Sequence, residues 1–301
     1  MLFRSHGSVI RATLAQQKKD RISGSKDVGS DESSGSGARY GLFATAAGGL
    51  SDLVAAIEQA LQKSGRVTVH LGTDVTSVAR TAEIEQQTSV KSAWTLCSVN
   101  QPPMDFDAVI VTLPTYAAAN ILQDAVSAEL LKSLNAIQYA SSAIVVSGHH
   151  VADFEHPLDA FGLVVPAIEQ RKILAVSFSS RKFPGRAPEG QILLRTFVGG
   201  AMQPELLAND NDMIQEFVNA ELRSIFGMKA DPMFSEVITY KNAMPQYHVG
   251  HLDRVAAIES LVKKHTGLYL AGSAYHGVGI PDSIASGQTA ADRIAPRKSL
   301  L

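Results

Sequence analysis

Apolar and polar residues alternate in different rhythms along this chain, and the change of rhythm predicts its elements. Leu50, Leu53, Val54, Ile57 and Leu61 recur at helical spacing behind the turn Ala47-Gly48-Gly49, which predicts an amphipathic helix. Strand-type runs follow at Val67 to Leu71, Trp94 to Val99 and Ala108 to Leu113, with Thr73-Asp74-Val75 turning the chain after the first. Two short helical patterns between Ala118 and Ile137 are joined at Asp124 to Ser127. The texture then becomes β-rich: Ser142 to Ser147, Phe161 to Val165, Ile173 to Ser179 and Ile192 to Val198 are separated by turn-prone Phe183-Pro184-Gly185 and Ala187-Pro188-Glu189-Gly190. One amphipathic helix follows, capped by Asp210, with Ile214, Phe217, Val218, Leu222 and Ile225 facing inward. A sheet with a helix across it describes an α+β domain. Val237 to Tyr240 and a helix from about Leu252 to Lys264 then lead back, so the chain leaves one domain and returns to it.

The return ends in Thr266 to Ala295, which parses as strand, loop and helix. Leu268 to Ala271 is a short apolar run, Gly272 to Ile280 carries three glycines, and Pro281 to Ala295 has helical character. Proline suits a first helical turn, where its missing N–H has no partner, and Asp282 complements the positive end of the helix dipole. The N–H groups of such a loop point beyond the strand's carboxyl end, a position that favours an electron-rich group. Without Cβ atoms at Gly277 and Gly279, backbone there can lie flat against a planar ring. An ordinary glycine-rich βα turn that binds nothing has the same pattern.

Composition narrows the field. The chain has 301 residues, 45% of them apolar and 19% charged, with a formal net charge of −2, which describes an ordinary globular protein with no basic excess for nucleic acid. Its apolar runs fall far short of the roughly 20 residues that span a bilayer. Cys97 is the one cysteine, so no internal disulfide forms and a reducing, cytoplasmic setting is expected. Residues 1 to 21 are basic and amphipathic, with Leu2, Phe3, Val9, Ile10 and Leu14 as the apolar positions, and read as a surface helix; peripheral membrane contact stays open. Ser23 to Gly37 is linker-like, and its Gly35 and Gly37 follow no strand, so no nucleotide role attaches to them.

Side-chain catalysis finds little support. His248 and His251 are three apart and His149 and His150 are adjacent, but neither pair has a third ligand at useful spacing, so no metal is expected. There is no G-x-S-x-G elbow, and Cys97 lies inside a strand pattern.

The wording of two blocks is more specific than their pattern. LAGSAYHGVGIPDSIASGQTAA, in the final segment, resembles the flavin-contacting C-terminal segment of the FAD-dependent protoporphyrinogen and coproporphyrinogen oxidases, relatives of the monoamine oxidases. NAMPQYHVGH, from Asn242 to His251, resembles the segment before it, and weaker similarity covers nearly the whole chain. The resemblance implies a two-domain FAD-binding fold, Rossmann-like and of monoamine-oxidase type, combining α/β and α+β parts. Residues 1–37 then match the end of a helical insertion and a linker, 38–115 and 239–301 two parts of the FAD-binding domain, and 116–238 a substrate domain of sheet plus helix.

The resemblance also carries implications for individual residues. Val75, Tyr240, Gly272, Val278, Gly279 and Ile280 correspond to FAD contacts, with Tyr240 standing where many relatives have tryptophan. Gly162, Val164 and Phe197 fall where relatives hold a porphyrinogen between apolar walls. The implied activity is oxidation of coproporphyrinogen III or protoporphyrinogen IX to the porphyrin in haem biosynthesis, with oxygen as acceptor and no catalytic side chain, since the flavin carries the chemistry. NAMPQYHVGH and GVGIPD are nearer the bacterial coproporphyrinogen-type branch. Family members begin with a strand and G-x-G-x-x-G that cradle the FAD pyrophosphate; that arrangement is missing from the first hundred residues here, which makes the chain an expected N-terminally incomplete member. Another flavin amine oxidase and a non-catalytic fragment are the alternatives.

Overall fold

The computed structural model describes residues 44–81 and 94–295. The amphipathic stretch 1–21 and the linker Ser23 to Gly37 lie outside the described residues. The chain divides into two compact units, residues 1–50 and 51–301. In the first, the described residues make a turn in which Gly49 N–H donates to Ala46 O at 3.0 Å.

The second unit opens with helix α1 (Ser51–Ser64). Its apolar stripe is as predicted, yet none of its residues is buried. The predicted strand Val67 to Leu71 joins no ladder among the described residues, and Val67, Val69 and Leu71 are exposed. β propensity alone cannot make a strand, because backbone pairing requires a neighbour. Strands β1 (Val75–Arg80), β2 (Trp94–Ser98) and β3 (Gln101–Phe106) form an antiparallel three-stranded sheet in that order. Of these only β2 was legible. A register shift between Val75 and Ser77 breaks the alternation of β1, and β3 contains Pro102 and Pro103, which an edge strand tolerates.

Strand β4 (Val109–Val111) leads into helices α2 (Thr115–Ile121) and α3 (Ala128–Asn135). The Ser127 side chain caps α3 by accepting from Leu130 N–H. β5 (Tyr139–His150), β6 (Gly162–Val164), β7 (Ala175–Phe178), β8 (Gln191–Gly199) and β9 (Phe234–Pro245) build an antiparallel sheet in the order β6-β7-β8-β5-β9. Helix α4 (Asn211–Phe226) is capped by Asp210, whose carboxylate accepts from Met213 N–H at 2.8 Å, and stops at Gly227 in the left-handed region. α5 (His251–Val262), β10 (Leu268–Leu270) and α6 (Ile280–Ile294) complete the chain. β10 pairs in parallel with β4, so the last strand returns to the side of one laid down some 160 residues earlier in sequence.

Two apolar cores result. One collects Val78, Trp94, Val111, α2, α3, the inner face of α5, Leu268, Ala274 and Tyr275. The other lies between the five-stranded sheet and α4, where Ile214, Phe217, Val218 and Leu222 meet Ala143, Val145, Val176, Leu194 and Val198. Each large side chain buried there contributes on the order of 2 kcal/mol.

Candidate functional site

The segment from β10 to α6 forms as its sequence predicts. Gly272 has φ +124°, a conformation that needs glycine, and its N–H donates to Ser286 Oγ at 3.0 Å, tying the start of the loop to the helix after it. Gly279 is the residue preceding α6; no side chain caps that end, and Pro281 occupies the first turn. An uncapped N-terminus favours an electron-rich group. Val278 and Ile280 stand exposed beside it.

Gly277 and Gly279 also lie against a neighbouring side chain. A Cβ on Gly277 would meet Asp282 Oδ2 at 2.3 Å, and one on Gly279 would meet the same atom at 3.0 Å. The Asp282 carboxylate therefore occupies the space these residues leave, and a side chain at either position would have to displace it.

Below the loop lie several rings. His276 Nε2 is 2.9 Å from Glu259 Oε1 on α5. Tyr275 is buried, and burial followed by the nearby Tyr139 pushes its phenol well above the ordinary tyrosine range, so it stays protonated. Tyr139 Oη accepts from Thr115 N–H at 2.9 Å. A cavity of about 830 Å³ runs between α5, β10 and α6; Tyr275, Asp282 and Ser286 line it, whereas Val278, Gly279 and Ile280 do not.

The remaining predicted residues, Val75 excepted, fall on the five-stranded sheet. Val164 pairs with Ala175, Ala175 with Phe197, Phe197 with Ile144 and Ile144 with Ile238, so these five stand in one row on one face. Gly162 and Tyr240 are two residues along their strands from Val164 and Ile238, hence on the same face. The intervening Val145, Thr196 and Val198 are buried toward α4. Val164 is 78% exposed and Tyr240 44%, so this face carries apolar groups that α4 does not cover. The Arg195 guanidinium lies 5.6 Å from the Phe197 ring centre. Gly162 has φ +144°, and a Cβ there would lie 2.1 Å from Val176 O, which accounts for its glycine by backbone packing. Val75, at the start of β1 opposite Ser98, belongs to the three-stranded sheet and to neither group.

Sequence reading did not single out Ile144, Ile238, Ser286 or the contact role of Asp282. The two isoleucines carry a signal, alternation within a strand, but their face is known only once the register is. Nothing local marks Ser286.

Residues 4–295 match the family described as flavin containing amine oxidoreductase. The chain belongs to this family. It is 33% identical over 254 residues to the coproporphyrinogen III oxidase of Bacillus subtilis (strain 168), covering 84% of this chain and 51% of that protein. It is 30% identical over 193 residues to the mitochondrial protoporphyrinogen oxidase of Nicotiana tabacum, covering 63% of this chain and 38% of that one. The chain thus spans about half, or less, of the curated relatives it matches. Among solved structures, a protein of Exiguobacterium sp. 255-15 assigned as a protoporphyrinogen oxidase superposes with TM-score 0.75 at 24% identity, over 97% of this chain and 56% of that one. A putrescine oxidase variant superposes with TM-score 0.61 at 15% identity, over 83% and 53%. These likenesses establish the fold of the flavin-containing amine oxidoreductases.

The residues present suit one edge of a flavin. Uncapped backbone donors stand next to apolar Val278 and Ile280, and the donor set lacks a metal cluster: no group of three His, Cys, Asp or Glu residues converges among the described residues. No described helix is long and apolar enough to cross a membrane.

Proposed function

We propose that this chain contributes the flavin-edge and substrate-facing parts of a porphyrinogen oxidase, acting on coproporphyrinogen III or protoporphyrinogen IX with oxygen as acceptor. The observation that carries this reading is the row Val164, Ala175, Phe197, Ile144 and Ile238, with Tyr240 beside it, on the sheet face that α4 leaves uncovered. Apart from its propionate arms a porphyrinogen is a broad apolar macrocycle, and an apolar sheet face is complementary to that part of it. The match to family members named for these substrates supports the same conclusion.

In this reading FAD is the cofactor, with Val278, Gly279 and Ile280 along one edge of its ring and Gly272, Tyr240 and Val75 as further contacts. The flavin, when bound, supplies the capacity to accept hydride equivalents. The chain's own part is to bind and orient. Phe197, Ile238 and Val164 offer apolar surface on which the macrocycle can pack. The amide donors at the start of α6 favour negative charge that develops beside them. No described side chain need act as an acid or base, since pyrrole protons can leave to water. FAD binding by this chain is expected to be weak, because the G-x-G-x-x-G cradle is not found in its first hundred residues.

The test is to titrate the purified chain with FAD and then add coproporphyrinogen III and protoporphyrinogen IX in separate anaerobic and aerated reactions, following porphyrin fluorescence and oxygen consumption. Porphyrin formation that needs both FAD and oxygen supports the proposal, and the faster substrate names the branch. FAD binding with no oxidation of either porphyrinogen, but turnover of a primary amine, would replace it with the amine-oxidase reading.

A further inference from the structure

The loop proposed to meet the flavin is held from one side by two rings. Tyr247, between β9 and α5, and His251, the first residue of α5, are four residues apart, and the turn through Gly250, at φ +83°, folds them face to face. Their ring centres are 4.0 Å apart with planes inclined by 13°. Tyr247 Oη donates to Ser273 O. His251 is buried, and its Nε2 lies 3.0 Å from Tyr275 O. A carbonyl can only accept, so Nε2 carries the hydrogen. Two backbone carbonyls of the loop, at 273 and 275, thus end on one stacked pair.

The pair is itself anchored to the sheet. Gln246 N–H donates to Gln138 O at 2.8 Å, His248 Nε2 is 3.1 Å from Gln138 Oε1, and His251 N–H donates to His248 O at 2.9 Å. Gln138 immediately precedes β5, the central strand whose Ile144 stands in the apolar row. A continuous set of contacts therefore runs from the sheet, through two rings, to the loop. The Tyr247 phenol is raised above its usual range by burial first, then by Asp282 and Tyr139, and so remains a donor at neutral pH.

We propose that Tyr247 and His251 are positioning residues that fix the Ser273 to Gly279 backbone relative to the five-stranded sheet, and so set where a flavin edge sits against the substrate face. This rests on the flavin reading above. An alternative arrangement, in which the loop is fixed only by Gly272 N–H on Ser286 and by Asp282, would leave the stack without consequence for the cofactor.

The experiment compares the full chain with Tyr247→Phe, which keeps the stack and removes the phenol's hydrogen bond to Ser273 O, and with His251→Gln, which keeps a donor for Tyr275 O and removes the stack. Amide hydrogen exchange across residues 272–280 is measured without FAD, FAD affinity by fluorescence quenching, and global stability by melting. Tyr247→Phe should speed loop exchange by up to about tenfold, the upper end of what loss of one ordinary hydrogen bond represents, and weaken FAD binding several-fold while exchange in β5 and β8 stays at the parent rate. His251→Gln should produce the same pattern, and the double variant less than the product of the two. Unchanged loop exchange overturns the proposal whatever the flavin does. Faster loop exchange with unchanged FAD affinity overturns the positioning role alone. A parent chain that binds no FAD even at saturating concentration overturns the flavin reading, and the positioning role with it.

Discussion

Trp94 donates its indole Nε1–H to the backbone carbonyl of Thr266 at 3.0 Å. The ring is fully buried, and Arg80 lies 4.4 Å over it while its Nη1 reaches the same carbonyl at 3.3 Å. This joins the three-stranded sheet to the turn that launches β10, and hence to the candidate loop. Gly267 completes the turn at φ +81°, where a Cβ would lie 2.8 Å from Asp107 O and 2.9 Å from the indole nitrogen. Trp94→Phe should cost about 2–4 kcal/mol, combining lost apolar volume with an unpaired carbonyl. Gly267→Ala should cost about as much from strain and collision alone. Urea unfolding, with unchanged m, measures both; a loss under about 0.5 kcal/mol for either would dismiss the joint.

Acid should act through His149. It is buried on the α4 side of the sheet, with Nε2 2.8 Å from Ser147 Oγ, and burial lowers its pKa from 6.5 to about 4, Asp153 opposing in part. In the unfolded chain the imidazole takes up a proton near pH 6.5; in the folded chain it does so only near pH 4. Stability from this group is therefore complete above about 6.5, declines as pH falls toward 4, and levels off below. The total is on the order of 3 kcal/mol. Unfolding free energies of parent and His149→Gln, measured from pH 7 to pH 4, should converge by that amount. Parallel curves would place the acid sensitivity elsewhere.

The glycine loop is predicted to answer to Asp282. Gly277→Ala puts a methyl against that side chain and should destabilise by about 1–3 kcal/mol. Adding Asp282→Ala should restore most of the loss, because the obstructing carboxylate is gone. If the double variant is no more stable than Gly277→Ala, the loop excludes side chains for another reason, and melting temperatures decide the matter.

Adjacent residues on β8 should behave oppositely. Val198 is fully buried against α4 and Phe197 stands on the other face. Val198→Ala should cost about 2–3 kcal/mol of stability with little effect on porphyrinogen binding. Phe197→Ala should weaken porphyrinogen binding by an order of magnitude, with a stability loss below that of Val198→Ala. The two are separated by pairing denaturation with a fluorescence titration, and equal effects on both readouts would remove the face from the site.

Much of this fold is written in local pattern. Asp210 before a helical stripe and Pro281 after Gly279 mark helix starts by orphan-donor chemistry, and both stand where expected. The runs beginning at Ser142, Phe161, Ile173 and Ile192 all became strands of one sheet, because alternation reports that one side of each is buried. The blocks around Tyr247 and Gly279 likewise identified the family before any geometry was known.

What tertiary structure alone decided is which distant pieces meet. Val67 to Leu71 has strand composition and no ladder, while Pro-containing Gln101–Phe106 found one, because pairing depends on a neighbour rather than on propensity. Phe197, Ile144 and Ile238 became one row only through the registers of three strands, and a slip of one residue would have sent each to the opposite face. Asp282 beside Gly277, and Tyr247 on Ser273 26 residues away in sequence, are contacts that neither local pattern announces. Local chemistry chose the elements of this protein; the burial of their apolar faces against one another chose their neighbours.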